Sequence, residues 1–113
     1  MSRHIIVSLI LSSCFSTIIQ ANDFDKVCVY FEALEKVPTQ KTMTHQDRNQ
    51  FILKKIEQNL GPHSDATIAW EAVSYAASEQ RYELYKSGAE STLKTSWECN
   101  AMKDLANITG VFE

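Results

Sequence analysis

Beyond residue 21 the apolar positions recur at helical spacing. In the stretch "NDFDKVCVYFEALEKV", Phe24, Val27, Cys28, Phe31 and Leu34 fall at i, i+3, i+4, i+7 and i+10, which predicts an amphipathic helix. Asn22 and Asp23 suit its N-terminus, as caps and against the helix dipole, and Pro38 ends it. A second helix is predicted over "THQDRNQFILKKIEQNLG". Thr44 caps it, Asp47 follows three residues on, and Gly61 is expected to close it in a left-handed conformation. Ile52, Ile56 and Leu60 form its core line, with Phe51 and Leu53 on the flanks. Arg48, Lys54, Lys55 and Glu57 read as its solvated face.

The third segment, "SDATIAWEAVSYAASEQRYELYKSG", reads as one helix capped by Ser64. One face gathers Ala66, Trp70, Val73, Ala77 and Leu84; the other holds Ile68, Tyr75 and Tyr82. A helix apolar on two sides is central in its bundle or keeps one face for a partner. It ends at Ser87-Gly88 or continues to Leu93. The last segment runs from about Ser96 to Asn107, with "TSWE" as a capping box in which Thr95 caps and Glu98 reaches back. Trp97, Ala101 and Leu105 form one stripe on it, and Cys99, Met102 and Ala106 form another. There is no internal repeat, and proline and glycine punctuation is sparse. The fold class predicted is all-α: a single small domain over 22–113, built as a bundle of about four helices.

The first 21 residues follow a different pattern. Arg3 precedes an apolar run from Ile5 to Ile19, and the chain turns polar after Ala21. This predicts a cleavable signal peptide over 1–21 and export to a periplasm or a secretory pathway. The run is shorter than the roughly 20 residues a membrane span needs. A second reading rests on "LSSC", where Cys14 would be a lipid attachment point; the apolar "FSTIIQ" after it is unlike a polar tether.

Removing this segment changes the cysteine arithmetic. Of three cysteines, Cys28 and Cys99 remain, and in an oxidising compartment they are expected to pair. Such a bridge closes a loop of roughly 70 residues, for which the chain-entropy model gives about 4 kcal/mol. The chain has no C-x-x-C, and neither His45 nor His63 has zinc-ligand spacing to a cysteine, so no metal or redox cofactor is expected. The remaining segment carries ten Lys and Arg against fourteen Asp and Glu, a net charge of −4. That balance argues against a nucleic-acid partner.

Candidate chemistry is thin. No metalloprotease, hydrolase-elbow, phosphate-loop or EF-hand motif occurs. Glu32 and Glu35 lie three apart on the first helix, a spacing common among solvated glutamates. His45 falls in the first turn of the second helix and His63 in a loop. Asn107-Ile108-Thr109 fits a glycosylation sequon. Tyr75 and Tyr82, with Tyr85 nearby, form the one stripe with an interface composition; bordering the core with hydroxyls to water is its other reading. These features fit a non-enzymatic module that binds another exported protein: an inhibitor, an immunity-type protein, a chaperone-like binder or an accessory subunit. The alternative is a small envelope enzyme with an unrecognised site. Mass spectrometry of the exported protein should give Asn22 as its first residue; a lipidated Cys14 there would replace the signal-peptide reading with the lipoprotein one.

Overall fold

The computed structural model describes residues 22–113, so the signal-peptide segment and Cys14 lie outside the described residues. Five α-helices and no strand occur among them: α1 (Asp23–Glu35), α2 (His45–Asn59), α3 (Asp65–Val73), α4 (Arg81–Leu93) and α5 (Asn100–Leu105). Single 3₁₀ turns cover Gln40–Thr42, Ser78–Gln80 and Ala106–Ile108. No helix is long and apolar enough to cross a membrane among these residues.

α1 begins where its sequence directs. The Asn22 side chain accepts from the Asp25 N–H at 2.8 Å, and Thr44 does the same for Asp47 at the start of α2, at 3.0 Å. Phe24, Val27, Phe31 and Leu34 bury one stripe of α1 against α2, α3 and α5. Ile52 and Ile56 close the core from α2, and Trp70 enters it from α3 with no exposed surface. Phe31 meets the Trp70 ring edge-on at 5.1 Å, and Tyr85 meets it at 5.9 Å. The indole N–H of Trp70 donates to the buried Asn49 at 2.8 Å, so its polar atom is satisfied.

Four sequence expectations are corrected. The predicted third helix is two: α3 stops at Val73, a turn and a 3₁₀ segment follow, and α4 runs from Arg81 through Gly88 to Leu93. Nothing local forces this break, since "YAAS" holds strong helix formers. Two carbonyls it frees are taken by donors outside the helix ladder: Ser74 O accepts from the distant Val111 N at 2.8 Å, and Ala76 O from Arg81 Nε, five residues on, at 3.1 Å. Register changes across the break, so Leu84 faces solvent while Tyr82 and Tyr85 face inward. Second, the Thr95–Glu98 capping box does not form. Residues 96–99 lie outside any helix, and Cys99, with an extended backbone, is the cap of α5, its sulfur accepting from Met102 N at 3.3 Å. Both predicted stripes of that segment are consequently buried in their main members. Third, Gly61 does not adopt a left-handed conformation; the left-handed residue is Lys94, which ends α4 at φ 61°. Fourth, Arg48 is not on a solvated face but is 95% removed from solvent, being only 5% exposed.

The Cys28–Cys99 disulfide is present, spanning 71 residues and tying α1 to the start of α5. Trp97, two residues before Cys99, is buried against Phe24 and Tyr85, 5.6 Å from the Tyr85 ring, and its indole N–H donates to Asp25 at 3.0 Å. Its backbone N–H donates to the Glu90 carboxylate, which also pairs with Lys86 at 2.6 Å. The Lys86 ammonium, with the Trp97 N–H, holds the Glu90 carboxyl below its usual range.

Gly88 sits inside α4, where a Cβ would meet nothing within 4 Å. Gly88→Ala should therefore stabilise the protein by about 0.5–1 kcal/mol through backbone entropy and helix propensity. Thermal denaturation should show Tm higher by about 3–6 °C; an unchanged or lower Tm would contradict the uninterrupted α4.

Candidate functional site

Two arginines organise the side of the molecule where the break between α3 and α4 meets the segment following α5. Arg81, the first residue of α4, has no exposed surface. Its Nε donates to Ala76 O at 3.1 Å, Nη1 to Asn107 O and Thr109 O at 3.3 and 3.2 Å, and Nη2 to Phe112 O at 2.6 Å. Burial pulls its pKa below the usual guanidinium value, with Glu79 opposing that shift. Arg48 donates to the Gln40 side chain at 3.0 Å, to Gln40 O at 2.9 Å and to Ile108 O at 3.0 Å. Neither has a carboxylate within salt-bridge distance among the described residues. Their partners include the free carbonyls at the end of α5 and its 3₁₀ extension, where the helix dipole is negative.

The segment 107–112 is laced further to the start of α2. Gly110 N donates to His45 O at 3.2 Å and Gln46 Nε2 to Val111 O at 3.1 Å; His45 Nδ1 lies 3.2 Å from Phe112 O. His45 is thus engaged with this segment, while His63 stays exposed in its loop. Asn107 is exposed but Thr109 is fully buried, so the sequon is accessible as a whole only before folding.

This lacing sets an apolar surface. Phe112 is bound inside through its carbonyl, while its ring points outward, 59% exposed. The ring lies 6.1 Å from that of Tyr75, edge-on, and Tyr75 is 64% exposed. Two clefts lie along α2, one of them reaching Tyr75. One, of about 350 Å³, is lined by Gln50 and Leu53 of α2 and reaches Tyr75 and Val111. The other, about 370 Å³, lies between α2 and α3, shares Gln50 and Leu53, and continues over Ile56, Leu60 and Pro62. The cleft at Tyr75 is lined mostly by polar side chains, and the one between α2 and α3 has an apolar floor of Leu53, Ile56 and Leu60.

Of the three tyrosines of the predicted stripe, only Tyr75 belongs to this surface. Tyr82 is 6% exposed and its hydroxyl accepts from Cys99 N at 3.2 Å. Tyr85 is fully buried; its hydroxyl donates to Ala66 O at 3.3 Å, and burial raises its pKa. The helix break turns both into core residues. Sequence reasoning missed Phe112 and Val111, whose signal was only a short apolar pair after Gly110. Glu32 and Glu35 are exposed on α1. No group of three metal-ligating side chains occurs among the described residues, and Cys28 and Cys99 carry no free thiol.

Gly110 lies against the flat guanidinium: a Cβ there would stand 2.6 Å from Arg81 Nη1 and 2.8 Å from Nε. Gly110→Ala should cost about 1–3 kcal/mol, the usual range for overpacking, and should raise hydrogen exchange over 107–112. Gly61→Ala, with open space at the Cβ, should leave both unchanged. Equal effects of the two would show that Arg81 does not hold this segment. No protein family model, curated protein or solved structure matches the chain.

Proposed function

We propose that the chain is a small exported, non-enzymatic interaction module that engages a partner protein through the Tyr75–Phe112 pair. The observation that carries this reading is the exposed aromatic pair itself. Two large rings more than half exposed and in mutual contact are unfavourable in water without a partner. Aromatic side chains are the commonest anchors of protein interfaces, because they bring large area at small entropic cost. The scaffold under them is covalently and electrostatically fixed, which suits an inhibitor, an immunity-type protein, a chaperone-like binder or an accessory subunit alike. A disulfide and the apolar N-terminal run support export to a periplasm or secretory route.

The test is comparative affinity capture from the native envelope, quantified by mass spectrometry. Tyr75→Ala combined with Phe112→Ala should leave Tm within a few degrees and reduce capture of the enriched partner at least tenfold. Leu84→Ser removes an exposed leucine elsewhere, on α4, and should leave capture intact. A partner retained equally by the double variant would refute the surface assignment.

A further inference from the structure

The strap between α4 and α5 is held unlike the rest of the fold. Lys94, Thr95, Ser96 and Glu98 are exposed, and only Trp97 is buried. Beyond the last bond of α4, from Lys94 N to Glu90 O, this strap makes two hydrogen bonds among the described residues. Both run from Trp97 to carboxylates. Its backbone N–H donates to Glu90 on α4 at 3.0 Å, and its indole N–H to Asp25 on α1 at 3.0 Å. The other tryptophan is anchored differently, its indole N–H donating to the Asn49 amide, which does not titrate. The segment 107–112 hangs on Arg81, which stays charged in acid. The strap itself is bounded by the left-handed Lys94 and by Cys99, bonded to Cys28.

The titratable groups about Trp97 are Asp25 and the Asp23–Lys26 pair on α1, Tyr82, Tyr85, Lys86 and Glu90 on α4, and Lys94 and Glu98 in the strap. Lys103 and Asp104 of α5 are exposed. Between neutral pH and acid only the carboxylates among these change charge.

We propose that the strap is an acid-sensitive latch: protonation of Asp25 and Glu90 releases Trp97 and opens the aromatic cluster beneath it, while the disulfide and Arg81 keep the remaining fold closed. Trp97 meets the buried rings of Phe24 at 6.4 Å and Tyr85 at 5.6 Å, so its release uncovers an apolar surface that is hidden at neutral pH. Hydrogen bonds to an ionised group are about twice as strong as neutral ones. Proton uptake from water therefore weakens both bonds of Trp97 at once and removes the Lys86–Glu90 ion pair. Lys86, with the Trp97 N–H, lowers the Glu90 carboxyl, so the stabilisation is complete above the ordinary carboxylate range and is lost as pH falls through the lowered value. This device does not depend on the Tyr75–Phe112 surface, and either can fail alone.

The two indole N–H groups make the test internal. Exchange is followed by NMR on the disulfide-bonded protein from about pH 7 to about pH 3, the range in which carboxylates titrate. Protection of the Trp97 indole and backbone N–H should fall at least tenfold relative to the Trp70 indole. Asp25→Asn with Glu90→Gln should show the low protection already at neutral pH, with no further change in acid. Lys86→Gln should move the transition to higher pH, because Glu90 loses the cation that keeps it ionised. Glu32→Gln with Glu35→Gln, exposed on α1, should move nothing. If the double carboxylate variant fails to fold, the shift in Lys86→Gln decides. Equal loss at both indoles, which is unfolding of the whole domain, overturns the proposal. So does Trp97 protection that stays constant into acid, or a transition that Lys86→Gln leaves in place.

Discussion

A full positive charge sits inside this small domain in a shell of backbone carbonyls, and much of the chain path follows from it. A guanidinium cannot shed its proton at any ordinary pH, so its burial must be compensated by hydrogen bonds or a counter-charge. Arg81 uses carbonyls from two separate stretches, Ala76 on one side and Asn107, Thr109 and Phe112 on the other. Those carbonyls are available only because the helix breaks after Val73 and because α5 ends where it does. The break, the end of α5 and the buried charge are thus one solution, each part requiring the others. Gly110 belongs to it too: its φ is ordinary, and what the position demands is the absence of a side chain against the guanidinium.

The disulfide completes the same design at the other end of α5. That helix has six residues, well below the length at which a helix holds itself together in water. Its start is fixed by Cys99, which is bonded to Cys28 and also serves as the cap. Its end is fixed by Arg81 and Arg48. A covalent bond and two buried cations thereby replace the intrinsic stability that the segment lacks. In a domain of this size the hydrophobic core alone leaves little margin, which makes such staples the expected remedy.

Helix type and core were legible in the sequence where one short-range pattern decided the matter. The stripe Phe24–Val27–Phe31–Leu34 and the caps Asn22 and Thr44 belong to that class; the pairing of Cys28 with Cys99, 71 positions apart, followed instead from their being the two cysteines beyond residue 21. The break after Val73 was not legible, because its cause lies more than thirty positions away, at Val111 N. That one miss carried the site with it. On a continuous helix Tyr75 and Tyr82 lie two turns apart on one face; across the break Tyr82 turns into the core and Phe112 takes its place beside Tyr75. Arg48 and Arg81 were equally opaque. An arginine that will be buried among carbonyls looks, in the sequence, like any solvated one.

The buried arginines also bear on what the surface can do. Interfaces lose affinity to the entropy of ordering their own side chains and loops. Here the exposed face is drawn from three places: α2, the turn after α3 and the segment after α5. Each is tied to the interior independently of any partner. Phe112 is held through Arg81, Val111 through Ser74 and Gln46, and the start of α2 through His45 and Gly110. The aromatic pair is therefore organised before encounter, and the ordering that an interface ordinarily costs is already met within the fold.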